Sequence, residues 1–442
     1  MTALLWQALP SFKAGTVLGA TLVLLVIAAV GGDRVHAQDA PSAFRGLFRA
    51  ANPALTSTHR IDFVAAVFAG LADGDFEVGD SEEFPLIAGS YVGVSPVLSY
   101  IYAGDRVSFD ATAGGSFMNY STIPGFHATR YFGRLHVGGK IGEQTTLNVR
   151  GGVSYSPYYA FSLAVSPEAE DFGLDLGDQE PFVAVRENLR ADAHVELTHR
   201  MSERSQISTR YDIARTTFFG DGFGQASHRA GVNYGRALSP NARLQLGYAF
   251  NYWNYPGADD AAAFLGHDIR AGVAYNRPLP GSPRTRFGFD FGSAVAQQPG
   301  TLRFDVTGTA YLAHQVSRRM FLVGSYYRGF DVRPGFVEPL YFFSDTVAVS
   351  GTIVMGRRAV ASLVGSYVNG TFSADTYGQK ARSWNGSGSV SYGFNALMST
   401  YVQGTLTNQR LSEELGPLTG LPTLIDRYTL TGGFTIWLPW AK

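Results

Sequence analysis

The chain has 442 residues, no cysteine and a formal net charge of −1 at pH 7. The absence of cysteine excludes a disulfide framework, a thiolate metal site and a lipidated cysteine, and the near-zero charge gives no argument for a nucleic-acid partner. Charged residues make up only 16% of the chain, whereas 52 glycines, 23 tyrosines and 31 phenylalanines favour many strands, tight turns and aromatic girdles.

Residues 1–37 have the pattern of a secretory signal peptide. Lys13 precedes an apolar run from Ala14 to Val30, and Val35-His36-Ala37 matches the small-residue pattern of a cleavage site. The alternative is a single transmembrane anchor, because the run is close to the length that spans a bilayer. The signal peptide fits better, so we expect the protein to be exported and its mature chain to begin near residue 38.

The rest of the chain divides into a leader and one large domain. Residues 38–58 are interpreted as an N-terminal leader or short periplasmic segment, since such segments are usually poorly ordered. Beyond the signal peptide no uninterrupted apolar run reaches spanning length, which excludes a helical membrane protein. Polar and apolar residues alternate almost throughout residues 59–442, so we predict that this range forms one β-barrel.

The first predicted strand runs from Arg60 to Gly70, and residues 71–86 follow as a polar loop. The loop includes the acidic cluster Asp73-Gly74-Asp75-Phe76-Glu77. That cluster has some features of a calcium loop, but it lacks the glycine and the terminal glutamate at the required spacing. We therefore expect a solvated acidic loop and no metal site.

Antiparallel hairpins are predicted to follow in series, because alternating segments are separated by short runs of turn-forming residues. The longest irregular segment is predicted at residues 157–185. Short turns are predicted at Gly104-Asp105, Gly142-Glu143-Gln144, Ser202-Glu203-Arg204, Ser239-Pro240-Asn241, Pro280-Gly281-Ser282, Ser317-Arg318, Gly356-Arg357 and Asn395-Ala396.

The stretch from Arg186 to Arg200 shows the alternation most clearly. Its even positions are polar or charged, and the odd positions from Leu189 to Leu197 are wholly aliphatic. A period of two is the side-chain period of a β-strand, and a helical stripe would leave Ala191 and Val195 unexplained. One wet face and one aliphatic face predict a strand between an aqueous lumen and lipid.

These segments predict an all-β fold, a transmembrane antiparallel up-and-down β-barrel of about 18 strands, within a range of 16 to 20. An even number places both termini on one side of the membrane. Tight turns fall on that side and connections of about 6 to 29 residues on the other, and this asymmetry is typical of outer-membrane barrels.

The final segment, Tyr428 to Leu438, has Tyr428, Leu430, Phe434, Ile436 and Leu438 on its predicted lipid face. It resembles the terminal strand of Gram-negative outer-membrane barrels, a family that usually finishes on an aromatic residue, whereas this chain ends Trp440-Ala441-Lys442. Over the mature chain the pattern is similar to porin-type channels and to uncharacterised barrels encoded with polysaccharide export systems.

The resemblance implies a bacterial outer-membrane location and a passive diffusion channel for small hydrophilic solutes. The alternative is a structural or export-associated barrel, for example one that serves polysaccharide export, without general porin activity. The implied partners are outer-membrane lipid and lipopolysaccharide, the barrel-assembly machinery and the solutes. The resemblance also allows a homotrimer, and it implies neither a cofactor nor a nucleic-acid partner.

Basic residues outnumber acidic residues on the predicted lumen face, with fourteen, Arg328 among them, against seven. Such an excess favours anions. The alternative is that arginines and carboxylates form ladders that only neutralise one another's charges within the polar wall. The predicted pore-lining residues are Arg130, Arg134, Arg150, Arg186, Arg190, Asp192, His194, Glu196, Arg210, Asp212, Arg243, Asp290, Arg303 and Asp305.

Residues 157–185 form the third predicted outer loop, which is the position at which porins fold a constriction loop into the lumen. An acidic loop opposite an arginine wall would create a transverse field, whereas the alternative is a surface loop that binds divalent cations among lipid headgroups. The constriction-loop candidates are Glu168, Glu170, Asp171, Asp175, Asp178 and Glu180.

No enzyme site is predicted. The histidines are scattered along the chain without a metal-ligand spacing, and no G-x-S-x-G motif is present. His194, between Asp192 and Glu196 on one strand face, is interpreted as part of a salt-bridge network in the lumen wall. We therefore predict no catalytic residues and no metal ligands.

Overall fold

The computed structural model describes residues 58–77, 89–121, 127–157, 159–160, 182–184, 187–220, 224–240, 242–255, 263–275, 282, 284–298, 301–333, 340–373, 379–413 and 423–441. The predicted signal peptide and nearly all of the predicted leader lie outside these ranges. Among the described residues, no helix is long and apolar enough to cross a membrane.

Twenty strands are formed in the described part of the chain. Their bounds are β1 His59–Glu77, β2 Gly89–Ala103, β3 Val107–Tyr120, β4 His127–Lys140, β5 Thr145–Ser156, β6 Tyr159–Ala160, β7 Phe182–Ala184, β8 Asn188–Arg200, β9 Ser205–Phe218, β10 Gly224–Ser239, β11 Ala242–Asn254, β12 Phe264–Tyr275, β13 Thr285–Gln298, β14 Thr301–Ser317, β15 Met320–Arg333, β16 Leu340–Met355, β17 Ala359–Ser373, β18 Gln379–Gly393, β19 Met398–Leu411 and β20 Leu424–Ala441.

Eighteen of these strands form one closed antiparallel sheet, and β6 pairs with β7 in a separate two-stranded sheet. Each barrel strand pairs with its neighbours in the chain, so that β5 is followed by β8. The last strand closes on the first, from Arg60↔Ala441 to Glu77↔Leu424. The prediction of an up-and-down barrel of about 18 strands is therefore confirmed, and closure leaves no edge strand at the join.

Side chains alternate between a polar inner face and an apolar outer face. Val195 pairs with Val149 on one side and Tyr211 on the other, and Leu189, Val195 and Leu197 are each 38% exposed. The predicted lipid face of the terminal strand is also outward, because Leu438 pairs with Phe63 and Phe434 with Val67. A closed antiparallel barrel with a continuous apolar exterior is the architecture of porin-like barrels in the bacterial outer membrane.

Most predicted turns lie where the strands end. The turns at Gly104-Asp105, Gly142-Glu143-Gln144, Ser202-Glu203-Arg204, Ser317-Arg318 and Gly356-Arg357 all fall between consecutive strands, and so do the turns at Ser239-Pro240-Asn241 and Asn395-Ala396. The turn at Pro280-Gly281-Ser282 lies mostly outside the described residues. Local turn chemistry thus locates the hairpin ends correctly.

Three boundary predictions were wrong. β1 does not end at Gly70 but continues to Glu77, because β20 offers backbone partners along the whole segment, so Asp73 and Asp75 lie on a strand. Outer connections were predicted to have at least about 6 residues, but only residues 299–300 separate β13 from β14. The segment 157–185 is not wholly irregular, since it contains the short strands β6 and β7.

Candidate functional site in the lumen

The lumen has two chemically different walls. We define the neutral wall as the inward faces of β16–β19, which carry serine, threonine, asparagine, glutamine, glycine, alanine, aliphatic and aromatic residues and no charged residue. We define the charged wall as the inward faces of β3–β5 and β8–β14, which hold most of the charged residues on inward positions of the barrel. The two walls face each other around the barrel.

Solvent reaches the two walls unequally. On the charged wall the side chains of Arg190 and Asp192 are 60% and 49% exposed. On the neutral wall Val368 and Gln409 are 0% exposed, and neither polar atom of the Gln409 amide has a hydrogen-bond partner. Solvent therefore reaches Arg190 and Asp192 on the charged wall but not Val368 and Gln409 on the neutral wall.

A network around Asp212 organises the middle of the charged wall. Arg210 Nε donates to Asp212 Oδ2 at 2.7 Å, and His194 Nδ1 lies 2.6 Å from Asp212 Oδ1. His194 and Asp212 are cross-strand partners on β8 and β9, as are Glu196 and Arg210. One carboxylate thus fixes an arginine and a histidine, so this part of the wall is preorganised.

Beside this network the wall has a recess of about 320 Å³ that spans β9 to β14. Four inward-facing glycines, Gly231, Gly235, Gly247 and Gly272, line it. A Cβ on Gly272 would lie 2.7 Å from the backbone Cα of Asp290, so this position has no room for a side chain. Because side chains are missing at four neighbouring inward positions, the wall is concave there.

Basic side chains predominate in the recess. It is lined by Arg210, Arg229, Arg243 and Arg270, and by two aspartates. Both aspartates have local partners. Asp268 Oδ2 accepts from Arg270 Nη2 at 2.6 Å, and Asp290 Oδ1 accepts from the backbone and hydroxyl of Thr309, both at 2.8 Å. The recess therefore keeps a net positive charge that can attract an anionic group.

The strand register places most of the predicted pore-lining residues on the inner face. Arg186 and the six constriction-loop candidates lie outside the described residues, and the side chain of Arg303 is not described. The residues on inward positions are Arg130, Arg134, Arg150, Arg190, Asp192, His194, Glu196, Arg210, Asp212, Arg243, Asp290, Arg303 and Asp305.

The prediction that Arg328 faces the lumen is wrong. It pairs with Gly308 and Asp345 on the outward face. The inward positions of β15 are the odd-numbered residues, whereas the sequence pattern had suggested the even-numbered ones. The prediction also missed Arg427, which is inward on β20, 6% exposed and in hydrogen-bonding contact with Tyr120. The glycines on inward positions of β10 and β11 were a sequence signal for the recess that charge counting overlooked.

No cluster of three or more histidine, aspartate or glutamate side chains that could hold a metal occurs among the described residues. His194, predicted to belong to a salt-bridge network, lies 2.6 Å from Asp212, which also accepts from Arg210. The ionisable groups of the described wall can position and attract solutes through charge.

Comparison with known proteins gives no family. No protein-family model matches the chain, and no curated protein matches it. Solved structures that resemble it include OpdK of Pseudomonas aeruginosa with vanillate, at 10% identity and a TM-score of 0.45, covering 86% of this chain and 99% of that one. OccAB4 of Acinetobacter baumannii matches at 12% identity and a TM-score of 0.41, covering 88% and 100%.

The FrpB iron transporter of Neisseria meningitidis (F3-3 variant) also matches, at 8% identity and a TM-score of 0.44 over 83% of this chain. The chain spans only 64% of the length of FrpB. Identities and scores at this level carry no argument about solutes or partners.

Proposed function

We propose that the protein is a passive channel of the bacterial outer membrane for small hydrophilic solutes, with a preference for anions. The observation that carries the proposal is the solvent-accessible charged wall with its arginine-lined recess. No catalytic or cofactor-dependent step is part of this function. Transport then consists of diffusion past fixed charges.

The charged wall suits this role for two physical reasons. Arginine stays protonated at every physiological pH, and its planar guanidinium can bind a carboxylate, sulfonate or phosphate through two parallel hydrogen bonds. A wall of positive charge beside low-dielectric protein also raises the local concentration of anions. Because Asp212, Asp268 and Asp290 are engaged locally, they offset only part of this field.

Neutralising accessible arginines should lower anion preference. We expect the combined variant Arg134→Gln, Arg150→Gln and Arg190→Gln to shift the reversal potential of a planar bilayer toward cation permeation under a salt gradient. The matched control is Arg215→Gln, Arg236→Gln and Arg410→Gln, since these three arginines are on outward positions and the change in net charge is the same. Equal selectivity of the two triple variants would exclude the charged wall as the selectivity element.

The acidic loop of residues 157–185 is proposed to narrow this channel by facing the arginines of the charged wall. Its ends meet the barrel through the short β6–β7 sheet, where Tyr159 pairs with Ala184. Deleting residues 166–180 is then expected to enlarge the single-channel conductance, because steric and electrostatic constriction is removed. Unchanged conductance, with the barrel intact by its heat-dependent gel mobility, would place the loop outside the pore.

A second candidate is an export-associated or structural barrel without general porin activity. It is favoured by the complete burial of lumen-facing side chains such as Val368, Phe372 and Gln409 on the neutral wall. A barrel of this kind would show no steady conductance in bilayers when refolded alone. Measuring the wild-type conductance therefore separates the two candidates before any variant is made.

A further inference from the structure

A row of polar and charged residues crosses the outward face of five neighbouring strands, β15 to β19. Each residue of the row is directly paired with the next one on the adjacent strand. The row begins with an arginine on β15 and ends with two arginines that are cross-strand partners on β18 and β19. We call it the polar row, and it consists of Arg328, Asp345, Asn369, Arg382 and Arg410.

An aromatic rim borders the polar row on the side of the short turns. Tyr326, Tyr367 and Trp384 each lie two residues closer to the short turns than the polar-row residue of the same strand. The ring centroids of Tyr367 and Trp384 are 4.2 Å apart, and Trp384 is 58% exposed on the outside of the barrel. Aromatic girdles of such barrels mark the boundary between hydrocarbon and lipid headgroups, and short turns are on the periplasmic side. The polar row is therefore at the level of the headgroups of the outer leaflet.

One end of the polar row is electrically balanced. Arg328 Nη1 donates to the two carboxylate oxygens of Asp345 at 3.0 and 3.2 Å. Tyr326 donates to the same carboxylate at 2.5 Å, and the guanidinium carbon of Arg328 lies 4.9 Å from the centroid of the Phe343 ring. The arginine and the aspartate at this end are thus held together and add no net charge to the row.

The other end of the polar row carries positive charge. Arg382 and Arg410 are directly opposite each other, and Lys380 lies two residues from Arg382 on the same face. All three side chains are exposed, and among the described residues no carboxylate forms an ion pair with any of them. Like charges directly opposite on neighbouring strands are destabilising. An anion bound between these groups would offset their repulsion.

A cavity of about 340 Å³ lies beside Lys380 and Arg382. Arg382 Nε donates to Asn369 Oδ1 at 3.4 Å, which orients a guanidinium that has five N–H donors in all. The cavity is lined by three basic residues and by two aspartates, Asp305 and Asp345, and Asp345 belongs to the balanced end of the row. The lining therefore has an excess of positive charge next to an oriented guanidinium.

The surroundings of these basic residues favour an amphiphilic ligand. On the hydrocarbon side of the aromatic rim, the same part of the wall presents apolar side chains such as Val347 and Val402, which are 45% and 54% exposed. A ligand with alkyl chains can contact this surface while its headgroup reaches the basic residues. A phosphate monoester carries nearly two negative charges and three acceptor oxygens, so it can satisfy several basic groups at once.

We propose that Lys380, Arg382 and Arg410 bind a phosphate group of lipopolysaccharide, whose acyl chains lie against the apolar exterior of β16–β19. The two guanidinium groups donate charge-assisted hydrogen bonds to the phosphate oxygens, and the ammonium group adds a third cation. Basic pockets at membrane interfaces bind anionic headgroups in this way. The site is on the outside of the barrel, so it goes beyond the proposed channel function and does not depend on it.

The test measures the binding of lipid A that carries two phosphate groups. The variant Lys380→Gln/Arg382→Gln removes two positive charges from the site and leaves the balanced end of the polar row intact. Its matched control, Arg357→Gln/Arg358→Gln, removes two charges from exposed arginines in the short turn between β16 and β17, at the opposite end of the wall. Native mass spectrometry of the intact mature protein in detergent micelles gives the dissociation constant of each complex.

The variant Lys380→Gln/Arg382→Gln is expected to bind this lipid A about thirtyfold more weakly than the wild type, because two basic residues no longer attract the headgroup. The control and the charge-conserving variant Lys380→Arg/Arg382→Lys should keep the dissociation constant of the wild type. Lipid A without phosphate groups should bind equally weakly to the wild type and to the glutamine variant. Heat-dependent gel mobility verifies that every barrel is folded.

The proposal is overturned if the dissociation constant is unchanged in Lys380→Gln/Arg382→Gln, or if it rises equally in the control, since net charge alone then governs binding. It is also overturned if the wild type binds phosphatidylglycerol, or lipid A without phosphate groups, as tightly as the bisphosphorylated lipid A. Displacement of the lipid by an equal concentration of inorganic phosphate overturns it as well, because the site then serves a soluble anion. Ion conductance in planar bilayers tests the channel function separately and should be the same in this variant and in the wild type.

Discussion

Replacing Val195 with arginine is expected to lower the free energy of unfolding by about 2–4 kcal/mol, the cost of an arginine on the lipid face near the bilayer midplane. Val195 lies in the middle of β8, faces outward and is flanked by Val149 and Tyr211 on the neighbouring strands. A guanidinium at this position has no aqueous neighbour, so it must distort the bilayer or extend along the wall to reach water.

The control for this variant is Thr198→Arg, three residues further along the same strand and on the inward face. Thr198 pairs with Thr146 and Ser208, which are polar lumen positions. A charge there remains hydrated, so the expected change is within about 0.5 kcal/mol. Reversible denaturant unfolding in lipid vesicles measures both variants. Equal losses of stability would contradict the assignment of inner and outer faces.

Strand faces could be predicted because alternation is a local property. In β8 every side chain from Leu189 to Leu197 has its face fixed by its own sequence neighbours, and a slip of one residue would bury charge in lipid. The turn at Gly142-Glu143-Gln144 is local for the same reason, since glycine supplies the backbone conformation with φ of 93°. The strand number follows from counting such units.

Properties that depend on a partner strand could not be predicted in this way. The extension of β1 to Glu77 is determined by β20, which lies at the other end of the sequence. The outward position of Arg328 depends on the register of β15 with β14, and the alternation around Tyr326-Tyr327-Arg328 is too weak to set the phase.

The division of the lumen into two walls is partly visible in the sequence. The serine series on β18, from Ser383 to Ser391, indicates a neutral inner face, and the arginines of β8–β14 indicate a charged one. That these faces lie on opposite sides of one lumen follows only from closure of the sheet. The register of the β10–β11 and β11–β12 hairpins brings their inward glycines together, and four separate positions then form one recess.

Filling that recess is the second large effect that we expect. Gly235→Leu introduces a branched side chain whose Cβ would lie 3.3 Å from Arg243 Cδ and 3.6 Å from Gln206 Cγ. Both neighbours are flexible side chains, so the barrel should fold. The leucine then occupies the space beside Arg243 that an anionic group would use. Losing one charge-assisted hydrogen bond, about 1.5 kcal/mol, weakens binding roughly tenfold.

The measurement is the concentration of propanesulfonate that half-blocks the chloride current of a single channel, which should rise by that factor in Gly235→Leu. The control is Ala230→Leu on the same strand. Ala230 faces outward between Phe250 and Tyr211, so this substitution adds the same side chain to the lipid face. In this control the half-blocking concentration of propanesulfonate should equal that of the wild type. If the half-blocking concentration is the same in the two leucine variants, anions do not bind in the recess. Its arginines then act only through their long-range field.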